Sequence, residues 1–102
     1  MFLSKQASLE TQFYIVINLK TSEGAQSFAR FFIGNNRHNA HHIFRQLKGI
    51  DADETNVLYL EFWETVAGLP VNIDMITCTL DQLSENCRII TKEVFLLFNL
   101  EE

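Results

Sequence analysis

The sequence predicts an α+β protein: a four-stranded antiparallel sheet with two helices packed on one face, a two-layer sandwich built as a tandem β-β-α repeat. Three observations carry this reading. Two pairs of runs alternate apolar and polar residues around glycine-containing turns. Each pair is followed by a capped stretch whose apolar residues recur at steps of three and four. The two halves also align at an offset of 44 residues, Gly24 onto Gly68.

The first strand reads from the alternation of Phe13, Ile15, Ile17 and Leu19 with Tyr14, Val16, Asn18 and Lys20. TSEGA then makes a turn, and residues 26–33 continue as an aromatic, strand-like run. A helix over SEGAQSFARFF competes with that second strand, because Ser22 and Glu23 resemble a helix start. The first helix is expected over 36–48, started by Asn35 and stopped by Gly49, where a left-handed residue is wanted. The acidic linker Ile50–Thr55 reads as a loop.

The second half is written more clearly. Leu58, Leu60 and Phe62 alternate with Tyr59, Glu61 and Trp63; TVAGLP turns; Val71, Ile73 and Met75 alternate with Asn72 and Asp74. The second helix is expected over 80–99, opened by Thr79 and Gln82 as a T-x-x-Q capping box. Its core stripe is Leu80, Leu83, Cys87, Ile90, Val94 and Leu97. Ile89, Phe95 and Leu96 lie off the stripe and are free to meet Phe2-Leu3 or another protomer. The 44-residue offset also brings Thr21 onto Thr65, Phe13 onto Val57, Phe32 onto Ile76 and Asn35 onto Thr79, with few identities. Arg30, Pro70 and Asp74 suit edge strands, which favours the strand order 2-1-3-4.

Length and composition bound the function. The 102 residues make one domain, with halves at about 12–49 and 56–100. A 47% hydrophobic fraction and nine Phe call for an aromatic core or interface. The net charge of −5 argues against a surface devoted to DNA or anionic membrane. MFLSKQASLETQ lacks the pattern of a signal peptide, and no run is long enough to span a bilayer. A cytoplasmic protein is expected, with Cys78 and Cys87 as reduced, buried thiols. No nucleotide, CxxC or HExxH motif occurs, so no cofactor is expected.

All three histidines fall in GNNRHNAHH, residues 34–42. On a helical wheel Ala40, Ile43, Phe44 and Leu47 face the sheet, and His38 and His42 point away with Arg45. His41 sits at the polar boundary near Arg37 and Lys48, so all three histidines are expected on water. Two or three histidines without further ligands do not complete a zinc shell, and no metal is expected. No acidic residue lies between Gly24 and Ile50. Arg37, His38, His41, His42, Arg45 and Lys48 therefore form a basic stripe for an anionic ligand or an acidic protein surface. The stripe has no interleaved aromatics, which argues against nucleic acid.

The sheet face away from the helices should carry Tyr14, Val16, Asn18, Tyr59, Glu61, Trp63, Asn72, Asp74 and Ile76. Strand two adds either Phe28, Arg30 and Phe32 or Ala29, Phe31 and Ile33. Such a face is more aromatic than a monomer normally shows to water. The expected working residues are Tyr14, Asn18, Arg30, Tyr59, Glu61, Trp63 and Asp74. The expected function is a small interaction module that forms a homodimer through this face and offers its basic helix to an anionic partner. The alternative is a small-molecule-binding protein or acid–base enzyme, with Glu61 and Asp74 as anchors on the same face.

Overall fold

The computed structural model describes residues 11–51 and 57–99. Its elements are β1 (Thr11–Thr21), β2 (Gly24–Phe32), α1 (Arg37–Arg45), β3 (Ile50–Asp51), β4 (Leu58–Val66), β5 (Leu69–Thr77) and α2 (Leu80–Asn99). They build an α+β fold on an antiparallel sheet of order β2-β1-β4-β5-β3. The segment that competed as a helix is strand β2. The four long strands take the order expected for them. The sheet nevertheless has five strands, not four: Ile50 and Asp51, read as loop, pair with Thr77 and Ile76. Two residues are too few to show a period, so this strand left no pattern to read. Residues 52–55 of the linker lie outside the described residues.

The central ladder runs from Thr11 opposite Val66 to Leu19 opposite Leu58 without a break. Alternation then sends Phe13, Ile15 and Ile17 of β1 and Leu58, Leu60 and Phe62 of β4 into one core. Phe62 is the hub. The Phe44 ring stacks on it at 4.9 Å and 15°, and Phe13 packs at 6.0 Å. Ala29, Phe31 and Ile33 face the same core, which leaves Phe28, Arg30 and Phe32 for the opposite side.

Both outer pairings carry a β-bulge. One leaves Phe28 without a counterpart between Ala29 and Ser27; the other leaves Ile73 between Asp74 and Asn72. An extra residue reverses the alternation beyond it. Ile76 therefore packs against the core, not on the open face, and Met75 falls opposite Glu61. Asp74 falls opposite Phe62, exposed beside the bulge, and leaves the set of face residues to which strict alternation assigned it.

The helices depart from expectation at their ends. Asn36, not Asn35, caps α1, its Oδ1 accepting from the Asn39 amide at 2.9 Å. The helix closes at Arg45 with Gln46 as its C-cap, short of the expected Lys48. Gly49 is not the cap. It has φ +156°, and a Cβ there would meet the Thr77 carbonyl oxygen, so glycine lets the chain approach β5 and form β3. At α2 the capping box is made as read. Gln82 Oε1 accepts from the Thr79 amide at 2.9 Å, and Thr79 Oγ1 accepts from the Gln82 amide at 3.1 Å. Leu80 heads the expected stripe yet is 75% exposed, because packing on the core begins one turn later, at Leu83. The expected contact of this helix with Phe2-Leu3 lies outside the described residues. Among the described residues no helix is long and apolar enough to cross a membrane.

A buried amide joins the two halves. Asn86 on α2 is 0% exposed; its Nδ2 donates to the Lys48 carbonyl at 2.9 Å, and its Oδ1 accepts from the Lys48 amide at 2.7 Å. It satisfies both backbone groups of a residue that has just left α1. Replacing Asn86 by Ala should cost about 2–3 kcal/mol in urea unfolding, because both Lys48 groups lose their partner. At the β4–β5 turn Ala67 holds φ +54°. Ala67→Gly should therefore raise stability by about 1 kcal/mol in the same assay.

Candidate functional site

The pairing register reads the open face as rows running across the strands. One row is Phe32, Tyr14, Trp63 and Asn72. The next is Arg30, Val16, Glu61 and Met75. The third begins Ser27, Asn18 and Tyr59. Neighbouring rows hold each other. The Arg30 guanidinium lies over the Tyr14 ring, 4.2 Å from its centre, and Tyr14 packs on Phe32 at 5.6 Å. Trp63 Nε1 donates to Glu61 Oε1 at 2.9 Å, and the Tyr14 hydroxyl donates to Gln12 Oε1 at 2.9 Å. Ser27 Oγ donates to Asn18 Oδ1 at 2.6 Å, and Lys20 Nζ sits 5.7 Å over Tyr59.

An open cleft of about 590 Å³ lies on this face, bordered by Tyr14, Phe28, Arg30, Glu61, Trp63 and Pro70. Four expected residues, Tyr14, Arg30, Glu61 and Trp63, meet there. Asn18 and Tyr59 lie in the adjoining row, with Asn18 buried. Asp74 does not line the cleft; its Oδ1 accepts from the Met75 amide at 2.8 Å. A Glu61–Asp74 carboxylate pair on one floor is therefore not formed, which removes the arrangement on which acid–base chemistry was expected. Phe28, 63% exposed, belongs to the first of the two sets open to strand two but is not among the expected working residues, because alternation alone does not decide which set faces outward.

The basic stripe is narrower than the helical wheel implied. Arg37 is bound to Glu64 by two hydrogen bonds, Nη1 to Oε1 at 3.0 Å and Nη2 to Oε2 at 2.8 Å. Glu64 reaches it because β4 extends beneath the start of α1 on the helix side. His41 is half-buried, not on water. Its imidazole packs edge-on against Phe62 at 5.0 Å and against Phe13 at 6.5 Å. The sheet beneath α1 is broad and aromatic, so it buries a wider arc of the helix than Ala40, Ile43 and Phe44 alone. His38, His42, Arg45 and Lys48 remain exposed. Among the described residues, no group of three His, Cys, Asp or Glu side chains is placed to hold a metal ion.

Cys78 is buried and Cys87 half-buried; both are free and neither lines the open-face cleft. Burial pushes both thiols up, and the Asn86 side chain partly offsets this at Cys78. The folded chain thus holds these protons more tightly than the unfolded chain. The resulting stability is complete below the ordinary thiol value of 9.0 and is lost as pH rises through the higher folded values. Urea midpoints should fall between pH 8 and pH 10, by less in a Cys78→Ala, Cys87→Ala chain. Ellman's reagent at pH 8 should label the native thiols far more slowly than the denatured ones.

Comparisons with protein-family models, with curated proteins and with solved structures find no match, so the site is read from its own geometry.

Proposed function

We propose that this chain is a small cytoplasmic interaction module that forms a homodimer through the open face of its sheet. The observation that carries the proposal is the composition of that face. Tyr14, Val16, Phe28 and Trp63 share the side of the sheet away from both helices, and Arg30 and Glu61 lie among them. Tyr, Trp, Phe and Arg are the residue types that protein interfaces enrich at their centres. The exposed His38, His42, Arg45 and Lys48 would stay on the outer surface for an anionic ligand or an acidic protein partner. We also read the two halves as a structural repeat. Each contributes one central strand, one bulged outer strand and one capped helix.

The cleft favours a second reading. Its volume of about 590 Å³ suits a small molecule, held between Arg30 and Glu61 on an aromatic floor.

Trp63 is the only tryptophan, so its emission reports on this face. The proposal predicts a dimer by light scattering, with Trp63 emission shifting to the blue as concentration rises. Trp63→Ala should weaken the dimer by about 2 kcal/mol or more. A monomer at every concentration, with unchanged emission, overturns self-association and leaves the small-molecule reading.

A further inference from the structure

Resting on the self-association proposed above, we infer how the two copies meet: face to face, about a two-fold axis that lies in the interface and runs along β1. Arg30 of each copy then sits over Glu61 of the other.

The register carries this. Val16 is opposite Arg30 on one side and opposite Glu61 on the other. The two charges therefore flank Val16 by one strand spacing each, and their backbones are roughly 10 Å apart. Among the described residues neither makes an ion pair. Arg30 is instead held on the Tyr14 ring and Glu61 by the Trp63 N–H, so each presents its charge from an aromatic support.

A half-turn about a line along β1 exchanges the β2 flank for the β4 flank. It places Val16 over Val16 and Tyr14 over Tyr14, and it brings each Arg30 onto the other copy's Glu61. An in-plane axis across the strands does the opposite: it sets Arg30 over Arg30 and Glu61 over Glu61. Like charges facing each other in an interface cost several kcal/mol. The charges that flank Val16 thus select one of the two simple ways of stacking the sheets, both of which keep the strands aligned as in common sandwich packing. The same rotation carries the exposed Phe28 rings to the β4 side of the partner, where each cleft lies open.

Charge exchange in the full chain tests this, with sedimentation velocity as the readout and circular dichroism as the check of folding. R30E alone sets two carboxylates against each other twice, and E61R sets two cations against each other twice. Each variant should dimerise roughly tenfold or more weakly than the wild type at low salt. The R30E/E61R chain should recover the dimer. An equimolar mixture of R30E and E61R should give a one-to-one heterodimer, since both facing pairs then have opposite sign. As a measurement independent of charge, Val16→Cys lies on the axis and should cross-link through a short bismaleimide, with the wild type as control for Cys78 and Cys87. A wild-type chain that is monomeric overturns the self-association reading and this arrangement together. A wild-type dimer that survives both single changes, a mixture that does not pair, or a Val16→Cys chain that does not cross-link overturns the arrangement alone.

Discussion

The unbroken ladder between β1 and β4 is the constraint on which the rest of the molecule depends. Nine consecutive residue pairs, with no bulge, lock the phase of the two central strands. Because side chains alternate strictly along such a ladder, a slip of one residue would exchange the two faces completely. The phase adopted puts Phe13, Ile15, Ile17, Leu58, Leu60 and Phe62 under the helices. It leaves Tyr14, Val16, Tyr59, Glu61 and Trp63 on the other side. The core and the candidate interaction face are two consequences of one register.

The outer strands are adjusted around that rigid centre. Each carries one extra residue, and each extra residue changes what its strand contributes. On β2 the bulge at Phe28 brings Ser27 opposite Asn18, in the open-face row that also holds Tyr59. On β5 it moves Asp74 off the cleft floor and Ile76 into the core. The face thereby keeps one acidic group, Glu61, where strict alternation would place two. A second adjustment joins the halves. Gly49 lets the chain pass close to Thr77, and Asn86 holds the backbone of Lys48 just before it. Together these place β3 on the outer side of β5, where it pairs with Thr77 and Ile76 at the end of that strand.

Much of this was legible in the residues, and the reason is local. The alternation in 13–20 and 58–63, the glycine turns and the Thr79–Gln82 capping box each act over a few residues, and the structure contains each of them. What the pattern missed is equally specific. Asn35 and Asn36 are both good caps, and choosing between them depends on how the chain leaves Ile33 for α1. Asn86 looks like an ordinary polar residue beside an apolar stripe; its partner is 38 residues away. His41 looks solvent-facing on a wheel, but it lies over Phe13 and Phe62. Arg37 looks like part of a free basic stripe until β4 brings Glu64 to it.

The sequence by itself determined the α+β class, the four long strands and their glycine turns, two helices and an aromatic sheet face around Tyr14 and Trp63. Periodicity and turn chemistry are short-range properties, and hydrophobic alternation decides which side of a strand is buried without knowledge of its neighbours. Tertiary structure alone decided the bulges, the fifth strand, the Asn86 clamp and the neutralisation of Arg37. Only it set Arg30 and Glu61 on either side of Val16. Those features depend on which residue of one strand lies opposite which residue of another. That is a relation between distant parts of the chain, and no single segment records it.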